Sequence, residues 1–541
     1  MKRLSGTRTK IALSPRASRR LQRWSALATT VLLVGFAGLA SADDAQDLAD
    51  KIDRQIEARW KSDRIVPAPF ADDAEYLRRV SLHIGGRIPA VADARRFLRS
   101  ESQDRRRQLI DELLESSRYV VQFTNFWTRV MLPESATDVR DAAQQVAFAA
   151  WLRQHLVANT PYHAMVHELL TTPLGRDRTE NSGSPIAFFT TKQIKPENLA
   201  AATSRMFMGI RIECAQCHHH PHDTWKQEQF WGYAAFFAGI ERTERDGMLV
   251  GQVKEIFDRR ELTIPERATV VQATYLDGKE PTWKSRISSR RILADWLTAR
   301  ENPYFARTVV NRLWGHFFGV GIVNPVDDFG AANKPSHPEL LDELATDFVA
   351  HDFNLKYLIR GITLSQTYQR TSRQTDVSQT EPQQFARMSI QGLTADELFD
   401  SLSVAVGAAA PAEAVEQPFP NGFNRVRAEF QELFAADQSA STERQTSILQ
   451  ALALMNGNVT ALATSLDQST TLSAVIEFPL MQDSDRIEAL YLATLTRKPR
   501  PDEIKRLVDY VNSGGPADDS KQALADVFWA LLNSSEFLFN H

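Results

Sequence analysis

Cys214-Ala215-Gln216-Cys217-His218-His219-His220-Pro221-His222-Asp223 holds both cysteines of the 541-residue chain and four of its 12 histidines. Cys214 to His218 spell C-x-x-C-H, the pattern that attaches c-type haem. The spacing has a chemical reason. Two thiols add to the two vinyl groups of one porphyrin as thioethers, and the next histidine lies against the iron. Two other uses of the same residues stay open. Cys214 and Cys217 with two of His218, His220 and His222 could supply a zinc set, the expected one being Cys214, Cys217, His220 and His222. The two thiols could also close as a disulfide or work as a redox dithiol.

Helical patterns frame this stretch. Pro196 opens a helix expected to reach about Gly209, and Asp223 is expected to cap a helix from Thr224 to about Gly239. That second helix offers Trp225, Phe230, Trp231, Tyr233, Phe236 and Phe237, either as an apolar wall for a porphyrin or as ordinary core. Upstream, Ala45–Trp60, Asp72–Leu82, Asp104–Leu114, Thr124–Met131, Asp141–Ala158 and Pro161–Thr171 keep helical spacing, with a break at Gly85-Gly86. Ala268–Tyr275 is β-branched and partly alternating, and Asp277-Gly278 follows it. Helical patterns resume at Arg290–Thr298, Pro303–Phe318, His337–Ala350, Leu355–Ser365 and Ala395–Val406. After the Ala/Pro-rich linker Ala408–Pro420 they recur at Glu443–Asn456, Arg486–Leu495, Pro501–Asn512 and Lys521–Phe539. The expected fold is mainly α: two helical domains, 43–240 and 290–541, joined by a small β-containing connector, 241–289.

Residues 1–42 are set apart from that fold. Eight basic residues and no acid precede the apolar run Ala26–Leu39, and Ala40-Ser41-Ala42 makes an A-x-A cleavage site, so a secretory signal peptide is expected. Arg19-Arg20 is weakly flanked for a twin-arginine signal, and haem attachment after export favours the general secretory route. The destination is the periplasm or cell surface, with no membrane span left in the mature chain. The precursor carries 63 Lys and Arg against 67 Asp and Glu, a net of −4. Losing eight basic residues leaves 55 against 67, a net of −12. An acidic exported chain is a poor partner for nucleic acid. Hydrophobic residues at 43% and charged residues at 24% exclude a disordered chain and a polytopic membrane protein.

Other constellations invite chemistry. Arg307, Asn311 and His316 share a predicted helix, and Asp327-Asp328 follow after a turn. Arg307, His316, Asp327 and Asp328 could form an acid–base or anion site, or a buried polar network. Ser336-His337-Pro338-Glu339 has the S-x-x-E capping-box pattern. His163 and His167 lie four apart on a helix, in the wrong order for a zinc protease. For a sixth iron ligand, Met206, Met208 and Met248 are near in sequence and His316 and His337 remote; none is singled out.

The residues also resemble a known family. Gly209-Ile210-Arg211-Ile212-Glu213 leading into the cysteine motif, with His220-Pro221 and Trp225 after it, resembles the planctomycete-specific cytochrome-c-type domain of unknown function. Leu77-Arg78-Arg79-Val80-Ser81-Leu82 and Gly85-Gly86-Arg87-Ile88-Pro89 match its N-terminal signature. The second half resembles the planctomycete-specific partner domain, also of unknown function. The matching residues are Arg307, Val310–Gly319, Gly321-Ile322-Val323, Asp327-Asp328-Phe329, Ser336–Leu341 and Trp529–Phe537. The resemblance implies a haem-type motif and export, with no established reaction. It departs from the family at His219, where Asn or Asp is usual, which favours the metal alternative. Three readings follow. The first is an exported cytochrome-like protein with covalent haem c on Cys214, Cys217 and His218, serving a redox partner protein. The second is a scaffold with a zinc or disulfide staple. The third is an enzyme with its site on the second domain.

Overall fold

The computed structural model describes residues 44–133, 139–174, 183–221, 223–242, 253–407, 422–434, 455, 457, 461, 464–466 and 469–541. Residues 1–42, His222, Met248, the Ala408–Pro420 linker and the expected helix Glu443–Asn456, apart from Met455, lie outside them.

The fold is mainly α. Among the described residues, strands occur only as three antiparallel pairs. Two of them fall mainly within the expected connector: Ile240–Arg242 with Val253–Glu255, and Glu261–Thr263 with Val270–Gln272. The third joins Gln391–Gly392 to Phe539–Asn540. Two-residue strands are too short to leave an alternation in the sequence. No helix among the described residues is long and apolar enough to cross a membrane.

Several helix ends follow local rules. Asp72 caps the helix Asp73–Gly85 by accepting from the Ala74 and Glu75 amides, and Gly86 closes it at φ 69° with its N–H on the Leu82 carbonyl. The helix Ser117–Met131 starts two turns before the expected Thr124, because Ser116 caps it and Tyr119, Phe123 and Trp127 bury one face. The helix Val91–Arg99 escaped the pattern reading because only Ala94 and Phe97 are buried.

Two expected caps are corrected. Asp223 accepts from the amide and hydroxyl of the adjacent Thr224, and the helix starts later, at Gln227–Ala234. A histidine supplies the early cap, since His219 Nδ1 accepts the Gln227 amide at 3.1 Å. Nor does Ser336 form a capping box with Glu339. Its amide and hydroxyl both donate to the Ile322 carbonyl, and the helix Pro338–Ala350 has no side-chain cap.

The larger apolar core takes side chains from Ala45 through Met388, with Leu492. Sequence on both sides of residue 289 therefore packs into one interior. The smaller core runs from Leu398 to Phe537 and recruits Leu82 and Ile88. Buried arginines tie these parts together. Arg290, 2% exposed, donates to the carbonyls of Leu170 and Thr172 and pairs with Glu255 of the connector.

Candidate functional site

The helix Pro196–Thr203 loosens into a π-helical turn, Ser204–Met208, and stops at Gly209. Gly209 has φ 66°, a left-handed conformation that suits glycine. Beyond it Ile210 and Ile212 point into the core, while Arg211 between them is exposed. Glu213–Gln216 then form one tight turn. Ala215 is fully buried and anchors that turn, with its amide on the Ile212 carbonyl. Cys214 and Cys217 are therefore left outside as free, exposed thiols, with exposed His218 next to them.

Polar contacts fix the far side of the turn. Gln227 Nε2 donates to the carbonyls of Gln216 and Cys217 at 3.1 and 3.0 Å, and Trp231 Nε1 donates to Gln216 at 3.0 Å. Pattern reading missed Gln227 as a site residue. The signal was a glutamine four residues before Trp231 on an otherwise aromatic face. His218 Nδ1 lies 2.7 Å from the His219 carbonyl oxygen, so it carries the proton and leaves Nε2 as an acceptor. His219 is the reverse: its Nδ1 accepts, so the neutral ring carries its proton on Nε2. The His220 amide donates to the Trp225 carbonyl at 2.8 Å.

The aromatic wall is spent elsewhere. Phe230, Tyr233, Phe236 and Phe237 are at most 1% exposed and Trp231 is 5%, all within the core. Tyr233 shares a hydrogen bond with Thr203, and Phe236 stacks on Tyr275. Trp225 is half-buried. Met206 and Met208 are also core residues. Of the zinc set, Cys214, Cys217 and His220 are described and His222 is not. Among the described residues, no three His, Cys, Asp or Glu side chains are grouped to hold a metal ion.

The polar residues of the second half have separate partners. Arg307 pairs with Asp342 at 2.7 Å. Asn311 is buried and holds a turn, donating to the carbonyls of Val323 and Val326 and accepting the Val323 amide. His316 Nε2 meets the His83 carbonyl at 3.0 Å. His337 is buried against Phe385, beside Ser336. His167 pairs with Asp295, and His163 packs on Phe353. Asp327 turns toward the cysteine segment instead. It pairs with Arg211 at 2.6 Å, and Arg205 Nε approaches to 3.8 Å. Burial raises the Glu213 carboxyl above its ordinary range; Arg205 and Arg211 oppose the rise and Asp327 adds to it.

Residues 51–242 match the family PSCyt2, described as a protein of unknown function (DUF1549), and residues 289–511 match PSD1, a protein of unknown function (DUF1553). The chain is a PSCyt2 domain followed by a PSD1 domain. No curated protein and no solved structure matches it. The cysteine motif lies inside the PSCyt2 match, and Arg307, His316, Asp327 and Asp328 lie inside the PSD1 match.

The PSCyt2 turn meets the PSD1 domain at Gly209. A Cβ there would sit 2.5 Å from the Phe329 ring, and the Phe329 amide donates to the Gly209 carbonyl at 2.7 Å. Gly209→Ala is therefore expected to cost roughly 2–3 kcal/mol, from backbone strain plus the clash. Chemical denaturation would show it, and adding Phe329→Ala should not deepen the loss in proportion. A strictly additive double variant would mean that the two residues do not meet.

Proposed function

We propose that the protein is an exported, single-haem c-type cytochrome-like protein that exchanges electrons with a partner protein or supports that partner's redox step. One arrangement carries the reading. Cys214 and Cys217 are free and exposed on one tight turn, and the adjoining His218 keeps Nε2 as an acceptor by donating from Nδ1 to a backbone carbonyl. This donor set fits covalent haem, with two thiols for thioethers and one imidazole for iron. When bound, the haem supplies a one-electron couple. The chain's own part is orientation: Ala215 anchors the turn, while Gln227 and Trp231 hold the carbonyls of Gln216 and Cys217. Exposure of Cys214, Cys217 and His218 leaves a group attached there open to a redox partner. Residues 1–42 support export to the periplasm or cell surface.

A second reading has its own support. Apart from half-buried Trp225, the aromatics that could wall a porphyrin are committed to the core, which suits a zinc or disulfide staple in a scaffold protein. The third reading, an enzyme site on Arg307, His316, Asp327 and Asp328, loses its main support because Arg307, His316 and Asp327 have separate partners.

Co-expression with a haem-attachment system separates the first two. The expected product has a Soret band and the intact mass of the chain plus one haem. Cys214→Ala with Cys217→Ala should abolish the covalent attachment. His218→Ala should keep the thioethers but alter the visible spectrum. Unmodified cysteines with stoichiometric zinc, or an intramolecular disulfide, would replace the haem reading with the staple.

A further inference from the structure

The cysteine–histidine loop is flanked by Gly209–Arg211 on its outgoing side and by Asp223 on its returning side, with Ile212 and Ala215 anchoring it to the core between them. One short segment of the PSD1 domain touches both ends. On the outgoing side, Asp327 pairs with Arg211 at 2.6 Å with Arg205 Nε at 3.8 Å, and the Phe329 amide donates to the Gly209 carbonyl at 2.7 Å. On the returning side the contact is one of packing: a Cβ on Gly330 would lie 3.0 Å from Asp223 Oδ2 and 3.3 Å from Asp328 Oδ1, so the segment passes directly beside Asp223. The same domain also reaches under the loop's origin, where buried Arg312 donates to the Met206 carbonyl at 2.6 Å. The outgoing end is bonded and the returning end is packed against, and a chain restricted at both ends has fewer conformations than one restricted at a single end.

We propose that Asp327–Gly330 of the PSD1 domain clamp the cysteine–histidine loop of the PSCyt2 domain, with Asp327 as its positioning residue. The loop then depends on both domains for its conformation, which gives the partner domain a task at the motif. The clamp does not depend on what the loop carries, so it stands whether Cys214 and Cys217 hold haem, bind a metal or form a disulfide.

Hydrogen–deuterium exchange on the full-length, haem-free chain tests it. Asp327→Asn is expected to speed exchange in peptides covering 210–221 by about three- to fivefold, the factor set by one partly exposed ion pair. These peptides include the bonded amides of Ala215 and His220. Peptides from the helices Asp73–Gly85 and Phe305–Phe318 should keep their wild-type rates. Asp327→Glu, which retains the carboxylate, should restore most of the protection. Arg211→Gln should reproduce the effect, and the Asp327→Asn/Arg211→Gln double variant should exchange no faster than either single one. If Asp327→Asn fails to fold, Arg211→Gln carries the same test, since that side chain is 43% exposed. Unchanged exchange in 210–221, or acceleration spread evenly over the helices, would overturn the clamp.

Discussion

Arg78→Ala is expected to lower the unfolding free energy by roughly 3–5 kcal/mol, a loss on the scale of breaking a buried charged network. The side chain is fully buried in the helix Asp73–Gly85. Its Nη1 donates to the Thr494 carbonyl at 2.9 Å, and its Nη2 to Phe537 at 2.8 Å and Glu536 at 3.1 Å. Burial lowers the guanidinium pKa to about 10, opposed by Glu536, so it stays charged at pH 7. Its two Nη groups are satisfied by these carbonyls while its buried Nε has no partner, so the cation depends on every one of the carbonyls staying in place. Truncation leaves those carbonyls without the donor and opens a cavity. Arg78→Lys is expected to rescue little, because one ammonium cannot reproduce a planar fork that serves carbonyls on separate segments. Urea denaturation checks this: the midpoint should fall sharply while the slope stays near wild type. A wild-type midpoint in Arg78→Ala would mean that the carbonyls find other partners and that the buried fork contributes little.

Arg79 continues the same stitch with different partners. It donates to the carbonyls of Tyr368 and Arg370 at 2.9 Å and pairs with Glu75 at 2.6 Å. The sequence Leu77-Arg78-Arg79-Val80-Ser81-Leu82 reads as a helix, and it is one. By composition alone, adjacent arginines on such a helix belong on its wet face. Their burial could not be read, since the partners that pay for it lie up to 462 positions away.

The same contrast runs through the cysteine site. C-x-x-C-H is contiguous, so the candidate site from Cys214 to His218 stands out in the sequence without any knowledge of the fold. Gly209 and Gly86 also announce themselves locally, because each ends a helix in the left-handed region. In the sequence Asp327 is an acid after a turn, but its partner Arg211 is 116 positions earlier. Helical spacing groups Asn311 with Arg307, yet its side chain serves the turn at Val323–Val326. Spacing along a helix identifies a shared face; it does not say what packs there.

Acidification from pH 7 to 5 is expected to destabilise the protein through neutral buried histidines. His337 is the measurable case. Burial, with Arg59 adding to it, lowers its pKa to about 4, against 6.5 for an ordinary histidine. His83 shifts the same way: burial first, then His316 and Arg79, hold it well below the ordinary value. His83 is fixed in the neutral state between the Tyr368 hydroxyl at 2.9 Å and the Gln391 amide at 3.3 Å. A depressed histidine pKa means that the unfolded chain takes up the proton first. The stabilisation is therefore complete above about pH 6.5 and is lost as pH falls toward the folded value. For His337 the gap corresponds to at most about 3 kcal/mol, reached near pH 4. Asp53 and Asp400, lifted by burial, titrate with the opposite sign. The clean measurement is thus the difference between wild type and His337→Gln. The two should differ in stability by a pH-dependent amount that changes between pH 6.5 and 4 and is constant above 7. Parallel stability curves across that window would show that His337 accepts its proton in the folded state and does not resist acid there.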